Sequence, residues 1–350
     1  MMNSPEKYIK RCIELAKNGL GTTYPNPMVG SVVVANGQII GEGWHRKAGE
    51  PHAEVHAINS VKDTSLLKEA TIYVSLEPCS HFGKTPPCAD LIVRSGIPKV
   101  VIGTVDPNYQ VAGKGIERLK NAGIEVLVGV LEKECQALNK RFFTFHNQKR
   151  PYIILKWAES QDGFIAPSPN PYHQRAPIWI TNPYSRQLVH KWRSEEQAIL
   201  VGTQTVVADN PKLDTRDWFG QHPTRVIIDR EGRIPADSFV LDQSVPTLIF
   251  TSATDRVSKE NCLFEAIDFN QNIVPQLLAK LYEHRLQSVI IEGGTTTIQH
   301  FIDLNMWDEA RIFKGAVTFT SGIPAPQITG HCLEKTTYGT DELLILSNHD

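Results

Sequence analysis

The sequence predicts an α/β protein of two domains. Its 350 residues exceed one typical domain, and 41% hydrophobic and 21% charged residues are ordinary for a soluble globular protein. Strand signals alternate with helix signals in both halves, which is typical of layered α/β domains. A polar segment that closes with a proline, NQKRP at 147–151, separates the halves. We therefore expect domains at residues 1–148 and 149–350.

The N-terminal half is predicted to begin with a helix and a hairpin. Ser4, Pro5 and Glu6 supply an N-cap residue, a first-turn proline and a first-turn acid. The Asn36-Gly37 pair is typical of a two-residue turn between antiparallel strands, and the later alternation favours a largely parallel sheet. The predicted elements are strands at 29–34 and 38–42, a helix after His52, a strand at 71–75, a helix near Cys88, a strand at 99–103, a helix at 114–121 and a strand at 124–130.

The C-terminal half shows a second α/β run. Residues 166–177 contain four prolines and are predicted to be irregular. The predicted strands are 152–155, 198–201, 225–228, 247–250 and 288–291, and the predicted helices between them are 183–193 and 275–285.

The overall composition argues against several classes of partner. A net charge of -2 provides no basic field for binding nucleic acid, and no stretch resembles a signal peptide or a membrane span. Six scattered cysteines are too few for a disulfide scaffold, which favours a reducing cytoplasm. We therefore expect a cytoplasmic protein with no nucleic-acid or membrane partner. We also expect a homo-oligomer.

Three metal-ligand side chains and one acid lie close together in the N-terminal half. Zinc that takes part in catalysis is typically held by three protein ligands, and His52, Cys79 and Cys88 supply such a set. Glu54 follows the histidine by two residues, where it could take a proton from a water on the metal and pass it to a leaving nitrogen. Zinc-dependent base deaminases use this division of labour, so we predict a catalytic zinc site.

The alternative interpretation of these residues is two structural cysteines and a surface histidine. Against it, His-x-Glu and two Pro-Cys dipeptides occur together and in order. The spacing departs from the common deaminase pattern, because eight residues rather than two separate Cys79 from Cys88. The loop between them is well placed to contact substrate. Lys84 in this loop could bind a phosphate or be a solvated lysine.

The residues of the second half give weaker signals. The chain lacks the Gly-x-Gly-x-x-Gly of standard dinucleotide folds. The sequence IIEGGTTT at 290–297 runs from a strand into glycines and a helix start, an arrangement that can bind phosphate. A similar strand-to-turn pattern, ILVGTQT, occurs at 199–205. Tight turns explain either pattern more often than cofactor binding does.

Longer motifs carry a family resemblance. TYPNPMVGSVVV, GEGWHRKAGEPHAE and EPCSHFGKTPPCADLIVRSGI closely resemble the deaminase domain of bifunctional riboflavin-biosynthesis proteins of the RibD type. ILKWAESQDGFIA, WITNPYSRQLVHKWRSEEQAILVGTQTVVADNPKLDTR, TRVIID and VIIEGG resemble the reductase domain of the same family. The resemblance implies a cytidine-deaminase-like three-layer α/β/α domain followed by a dihydrofolate-reductase-like α/β domain.

The resemblance also implies a reaction sequence and site residues. Zinc-dependent deamination of a phosphoribosylated diaminopyrimidine would precede an NADPH-dependent reduction of the ribosyl group to ribityl. For the first site it implies that zinc is bound by His52, Cys79 and Cys88, that Glu54 transfers protons, and that Asn26 and His45 bind substrate. For the second it implies that Arg193, Arg216 and Glu292 bind substrate, and that Thr205, Asp209, Gly293 and Gly294 bind NADPH. Lys156, inside an otherwise apolar strand, is a further predicted substrate contact, and Thr295 is a further predicted cofactor contact.

Two further interpretations stay open. In one, the C-terminal domain is a non-catalytic substrate-binding or dimerisation module. In the other, the chain edits nucleic-acid bases, which predicts a basic and aromatic cluster that the metal motif lacks. Pro177 also stands where the family usually has a polar residue before Trp-Ile-Thr, so the reductase site is less well defined than the deaminase site.

Overall fold

The chain divides into two compact units, Met1–Lys149 and Arg150–Asp350. The computed structural model describes residues 4–80, 86–108, 112–168, 176–253 and 256–348. Within these ranges, no helix is both long enough and apolar enough to cross a membrane.

The first unit is built on a five-stranded sheet with the order β2-β1-β3-β4-β5. Its elements are α1 (Pro5–Ala16), β1 (Gly30–Ala35), β2 (Gln38–Trp44), α2 (Ala53–Asn59), β3 (Thr71–Leu76), α3 (Cys88–Arg94), β4 (Lys99–Thr104), α4 (Lys114–Asn121), β5 (Glu125–Val128), α5 (Glu132–Leu138) and α6 (Lys140–Gln148).

The predicted hairpin and parallel sheet are confirmed. Asn36 and Gly37 both have positive φ angles, 53° and 73°, as the tight turn between β1 and β2 requires. The first strand pairs antiparallel with β2 and with β3, whereas β3, β4 and β5 pair in parallel. The hairpin is therefore the antiparallel edge of an otherwise parallel sheet.

Apolar side chains on both faces of this sheet make three layers. Val33, Ile72 and Ile102 point toward one cluster, which α2, α3 and α4 complete. Val32 and Val101 point toward another, which α1 and α5 cover. Successive strand residues face opposite sides, so near-continuous apolar strands are buried on both faces. This is the α/β/α architecture that the family resemblance implies.

The second unit contains a nine-stranded sheet with the order β11-β10-β9-β8-β12-β6-β13-β16-β15, and β7 pairs separately with β14. Its elements are β6 (Tyr152–Glu159), β7 (Phe164–Pro167), α7 (Pro183–Glu195), β8 (Ala198–Gly202), α8 (Thr203–Asp209), β9 (Thr224–Ile228), β10 (Thr247–Thr251), β11 (Cys262–Ala266), α9 (Ile273–Glu283), β12 (Ser288–Ile291), α10 (Thr295–Asp303), β13 (Glu309–Lys314), β14 (Gly322–Pro324), β15 (His331–Tyr338) and β16 (Asp341–Ser347).

Some elements of the second unit do not follow from the sequence patterns. The prediction of an irregular segment at 166–177 was wrong at its start, because residues 166 and 167 belong to β7 and pair with β14. Residues 169–175 of that segment lie outside the described residues. The strand β13 has two charged residues, Glu309 and Arg311, at buried positions, where they form an ion pair. Because charged residues are not typical of buried strands, the sequence pattern does not predict this strand. Most residues of β15 are exposed at the sheet edge, so it shows little alternation.

Candidate active sites

The first unit brings three ligand side chains together where two helices begin near the end of a strand. His52 is the N-cap residue of α2, Cys88 is the first residue of α3, and Cys79 follows β3 by three residues. His52 Nδ1 lies 3.5 Å from Cys79 Sγ and 3.4 Å from Cys88 Sγ. All three ligand atoms lie within 4.8 Å of one another.

This donor set fits a zinc ion. With zinc–sulfur bonds near 2.3 Å and zinc–nitrogen bonds near 2.0 Å, tetrahedral geometry separates sulfur and nitrogen ligands by about 3.5 Å. The two nitrogen–sulfur distances match that separation. In the part of the chain that the structure describes, this is the one group of three such side chains close enough to share a metal.

The two thiols differ in acidity. The Cys88 N–H donates to Cys79 Sγ at 3.3 Å. A hydrogen bond from the Cys88 thiol, together with one from His52, lowers the pKa of Cys79 to about 4 in spite of burial. The shared proton and burial raise the pKa of Cys88. Cys79 is therefore the readier thiolate, and metal binding would displace the proton of Cys88.

Glu54 lies in the first turn of α2 and is buried, with 3% of its surface exposed. Burial raises the pKa of its carboxyl group, although the His52 charge opposes the shift. A raised pKa makes the carboxylate a stronger base, which favours accepting a proton from water. The pairing of this acid with the ligand cluster is the chemical feature that a hydrolytic deaminase needs.

Asn26 and His45 form a hydrogen-bonded pair beside the ligands. The His45 ring lies edge-on to the His52 ring, with centroids 5.2 Å apart. Its Nδ1–H donates to the Pro51 carbonyl at 3.2 Å, so its Nε2 accepts from Asn26 Nδ2 at 3.1 Å. Burial lowers the pKa of His45, which keeps the ring neutral in this tautomer. Both side chains that the sequence predicts for substrate binding are thus fixed in orientation.

The prediction and the structure do not overlap at two other residues of this region. Lys84 belongs to 81–85, which lie outside the described residues. Glu77, to which the sequence analysis gave no role, is buried and accepts hydrogen bonds from several backbone N–H groups. Its position directly before Pro78-Cys79 was the signal that could have found it.

A cavity of about 550 Å³ opens beside the sheet of the second unit. This volume is within the usual range for small-molecule sites. The predicted site residues that line it are Lys156, Arg193, Thr205, Asp209, Arg216, Glu292 and Gly294. The cavity wall also includes Pro177 and Trp179, so the position where this chain departs from the family pattern faces the same space.

A buried ionic group lies in the wall of this cavity. The Arg193 guanidinium donates to Glu292 through Nε at 3.2 Å and Nη2 at 2.8 Å, and Lys156 Nζ lies 3.8 Å from the same carboxylate. Burial alone would raise the pKa of Glu292, but Arg193 and Lys156 lower it to about 2. Burial lowers the pKa of Lys156, and Glu292 opposes that shift. Arg193 and Glu292 therefore compensate each other's charge, and the Lys156 amine lies next to the same carboxylate.

Arg216 and Asp209 lie on the same wall in different environments. Arg216 is exposed and pairs with Asp214 at 2.8 Å, so its guanidinium is accessible from the cavity. Asp209 ends α8, and burial raises its pKa to about 6. The first position therefore suits an anionic ligand, whereas the second suits a hydrogen bond to a neutral group.

Three predicted cofactor contacts, Gly293, Gly294 and Thr295, lie in the turn between β12 and α10, and they have different surroundings. At Gly293 a Cβ atom would lie 2.5 Å from Val201 Cα, so the absence of a side chain permits close packing on β8. Gly294 has a φ of +42° and lines the cavity. Thr295 begins α10 and donates from Oγ1 to the Pro324 carbonyl at 2.6 Å. Gly293 and Thr295 are absent from the described cavity wall.

Known protein families match both units. Residues 2–104 match the cytidine and deoxycytidylate deaminase zinc-binding region, and residues 151–323 match the RibD C-terminal domain. The riboflavin biosynthesis protein RibD of Aquifex aeolicus is 43% identical over 95% of this chain and 92% of its own length. The chain belongs to the RibD family.

Solved structures agree with this assignment over nearly the whole chain. A diaminohydroxyphosphoribosylaminopyrimidine deaminase/5-amino-6-(5-phosphoribosylamino)uracil reductase from Thermotoga maritima is 38% identical, with a TM-score of 0.87 and 98% of each chain covered. RibD from Acinetobacter baumannii is 34% identical, with a TM-score of 0.88 and the same coverage. The family assignment and the two-part fold predicted from the sequence are confirmed.

The chain is therefore a bifunctional enzyme of riboflavin biosynthesis, with a deaminase domain and a reductase domain. The match of the second unit to the RibD C-terminal domain does not favour a non-catalytic module there.

Proposed function

We propose that this enzyme deaminates 2,5-diamino-6-(5-phosphoribosylamino)pyrimidin-4-one and then reduces the ribosyl group of the resulting uracil to ribityl with NADPH. We assign the first reaction to residues 1–148 and the second to residues 149–350. The observation that carries the proposal is the ligand set of His52, Cys79 and Cys88 at zinc-compatible distances, with buried Glu54 in the first turn of the helix that His52 caps.

In the deaminase site, His52, Cys79 and Cys88 would hold a zinc ion. Zinc bound by three protein ligands supplies Lewis acidity that lowers the pKa of water toward neutrality. Glu54 would accept a proton from the attacking water and deliver it to the departing ammonia, for which a buried carboxyl group with a raised pKa is suited. Asn26 and His45 would read the pyrimidine edge, because their mutual hydrogen bond fixes which groups remain for a substrate. Lys84 would bind the phosphate.

In the reductase site, the cations and Glu292 would orient the open-chain ribose phosphate. Arg193 would attract the phosphate by its charge, because its fork is already bonded to Glu292. Arg216 offers a second, accessible guanidinium whose planar geometry matches phosphate. Lys156 and Glu292 complete this polar wall. We assign Thr205, Asp209, Gly293, Gly294 and Thr295 to NADPH, which supplies hydride when bound. We further propose that the enzyme acts as a homo-oligomer in the cytoplasm.

Two signals recorded in one reaction test this function. Purified enzyme is given the phosphoribosylated diaminopyrimidine, and ammonia release and NADPH oxidation are followed together, with cytidine as a control substrate. With the diaminopyrimidine we expect one ammonia released for each NADPH oxidised. With cytidine we expect neither signal. Ammonia release from cytidine, or no ammonia from the diaminopyrimidine, would contradict the proposed deaminase substrate.

A further inference from the structure

The buried side chain of Glu77 anchors the segment that contains Cys79 through hydrogen bonds. Its side chain is buried, with 4% of the residue exposed. Oε1 accepts from the N–H groups of Gly115 at 2.9 Å and Ile116 at 3.3 Å. Oε2 accepts from those of Gly113 at 3.0 Å and Asp106 at 3.3 Å. The Glu77 carboxylate therefore ties the chain just before Cys79 to the start of α4.

The backbone next to Glu77 is also packed closely against neighbouring segments. A Cβ atom at Gly115 would lie 2.0 Å from the Pro78 carbonyl oxygen, so only glycine permits this approach. The Glu77 N–H donates to the Thr104 carbonyl at 3.0 Å, which anchors the segment to the end of β4. The chain from Glu77 to Cys79 is thus held from two sides.

The same helix also reaches the second cysteine segment. Arg118 Nη2 donates to Asp90 Oδ2 at 2.8 Å, and Asp90 is the third residue of α3, which begins at Cys88. Arg118 Nη1 donates to the Ser80 carbonyl at 3.4 Å, directly after Cys79. α4 therefore contacts the segments of both cysteine ligands, although none of its own residues is a ligand.

We propose that Glu77 is a positioning residue for the metal centre: through the N-terminal turn of α4 it fixes the separation of Cys79 and Cys88. The inference rests on the proposed zinc centre and deepens it. Groups that orient metal ligands affect affinity without touching the ion, because they set ligand geometry before binding. In Glu77→Gln the side-chain NH₂ group would point at one pair of N–H donors, so half of the contacts would become repulsive.

The test measures zinc affinity in Glu77→Gln by competition with a chromophoric chelator, with the full chain as purified. We expect the apparent Kd for zinc to rise about 10- to 100-fold, as is typical for loss of an outer-shell partner. The visible spectrum of the cobalt-substituted variant should also shift, because the thiolates would be arranged differently around the ion. Glu117→Gln is the matched control, since it makes the same change at an exposed position of α4.

Other outcomes separate this inference from the proposed function. If the wild-type chain binds no stoichiometric zinc, the proposed zinc centre is wrong. If the wild type binds zinc but Glu77→Gln keeps the wild-type Kd and cobalt spectrum, the positioning role is wrong. Should Glu77→Gln not accumulate, Glu77→Asp, which keeps the charge, and Arg118→Ala, whose side chain is exposed, replace it. Each is expected to weaken zinc binding by a smaller factor than Glu77→Gln, and unchanged affinity in both would overturn the inference.

Discussion

The two sites of this enzyme are built in opposite ways. In the first unit, two helix starts and the end of a strand hold three ligand atoms within 4.8 Å of one another, and a buried acid lies in the first turn of one of these helices. In the second, a cavity of about 550 Å³ draws its polar groups from several strands and helices. A compact site depends on every one of its few residues, whereas a dispersed site spreads recognition over many. Substitutions should therefore be more damaging, residue for residue, in the first unit.

The largest expected effect is the loss of a zinc ligand. Cys88→Ala should remove stoichiometric zinc and abolish ammonia release, because two remaining ligands cannot hold the ion tightly. NADPH oxidation with the deaminated uracil as substrate should persist. Atomic absorption and the two activity assays check this, and full zinc in the variant would show that Cys88 is not a ligand.

Glu54→Gln should separate metal binding from proton transfer. The variant should retain zinc but lose ammonia release by at least about 100-fold, the scale typical of general acid–base catalysis. Near wild-type deamination would rule out the proton-transfer role. The neighbouring exposed Glu50→Gln is a suitable control, because it makes the same chemical change on the surface.

A smaller effect is expected when one cation of the dispersed site is altered. Arg193→Lys keeps the positive charge but loses the fork that bonds Glu292 through two nitrogens. The KM for the uracil substrate should rise about tenfold, corresponding to about 1.4 kcal/mol, while ammonia release stays unchanged. Arg230→Lys, an exposed position of the same unit, serves as control. An equal rise in both variants would argue against a specific substrate contact.

The subtlest prediction concerns stability at Asp209. Burial raises its pKa from 3.8 to about 6 in the folded chain. Ionisation therefore costs stability as the pH rises from about 4, and the full cost is present above pH 6. Asp209→Asn should raise the free energy of unfolding by about 2–3 kcal/mol at pH 7.5 and by much less near pH 4, because each pKa unit corresponds to about 1.4 kcal/mol.

Urea unfolding followed by tryptophan fluorescence measures this gain, since five of the six tryptophans belong to the second unit. An equal gain at both pH values would contradict a buried, titrating carboxyl group. We also expect the variant to bind NADPH more weakly, so that stability and activity change in opposite directions.

The same contrast explains what the sequence could and could not predict. His52, Glu54, Cys79 and Cys88 lie in short motifs whose chemistry identifies them, and the structure brings the three ligands together. The Asn36-Gly37 turn and the apolar strands likewise follow from local rules. Local patterns are sufficient where the residues that act together are also close in sequence or carry distinctive chemistry.

Long-range compensation is what the sequence conceals. Glu309 and Arg311 neutralise each other inside β13, so a buried strand has a polar sequence. Glu77 accepts hydrogen bonds from the N–H groups of Asp106, Gly113, Gly115 and Ile116, which its own motif cannot reveal. The pairing of Arg193 with Glu292, 99 positions apart, is also visible only in the folded chain.

The central claim is that one chain carries two independent sites that act in succession. The most direct measurement gives Glu54→Gln each of the two substrates in turn and follows NADPH oxidation. We expect no oxidation with the diaminopyrimidine and wild-type oxidation with its deaminated uracil. Oxidation of NADPH with the diaminopyrimidine, or none with the uracil in a folded protein, would contradict two separate and successive sites.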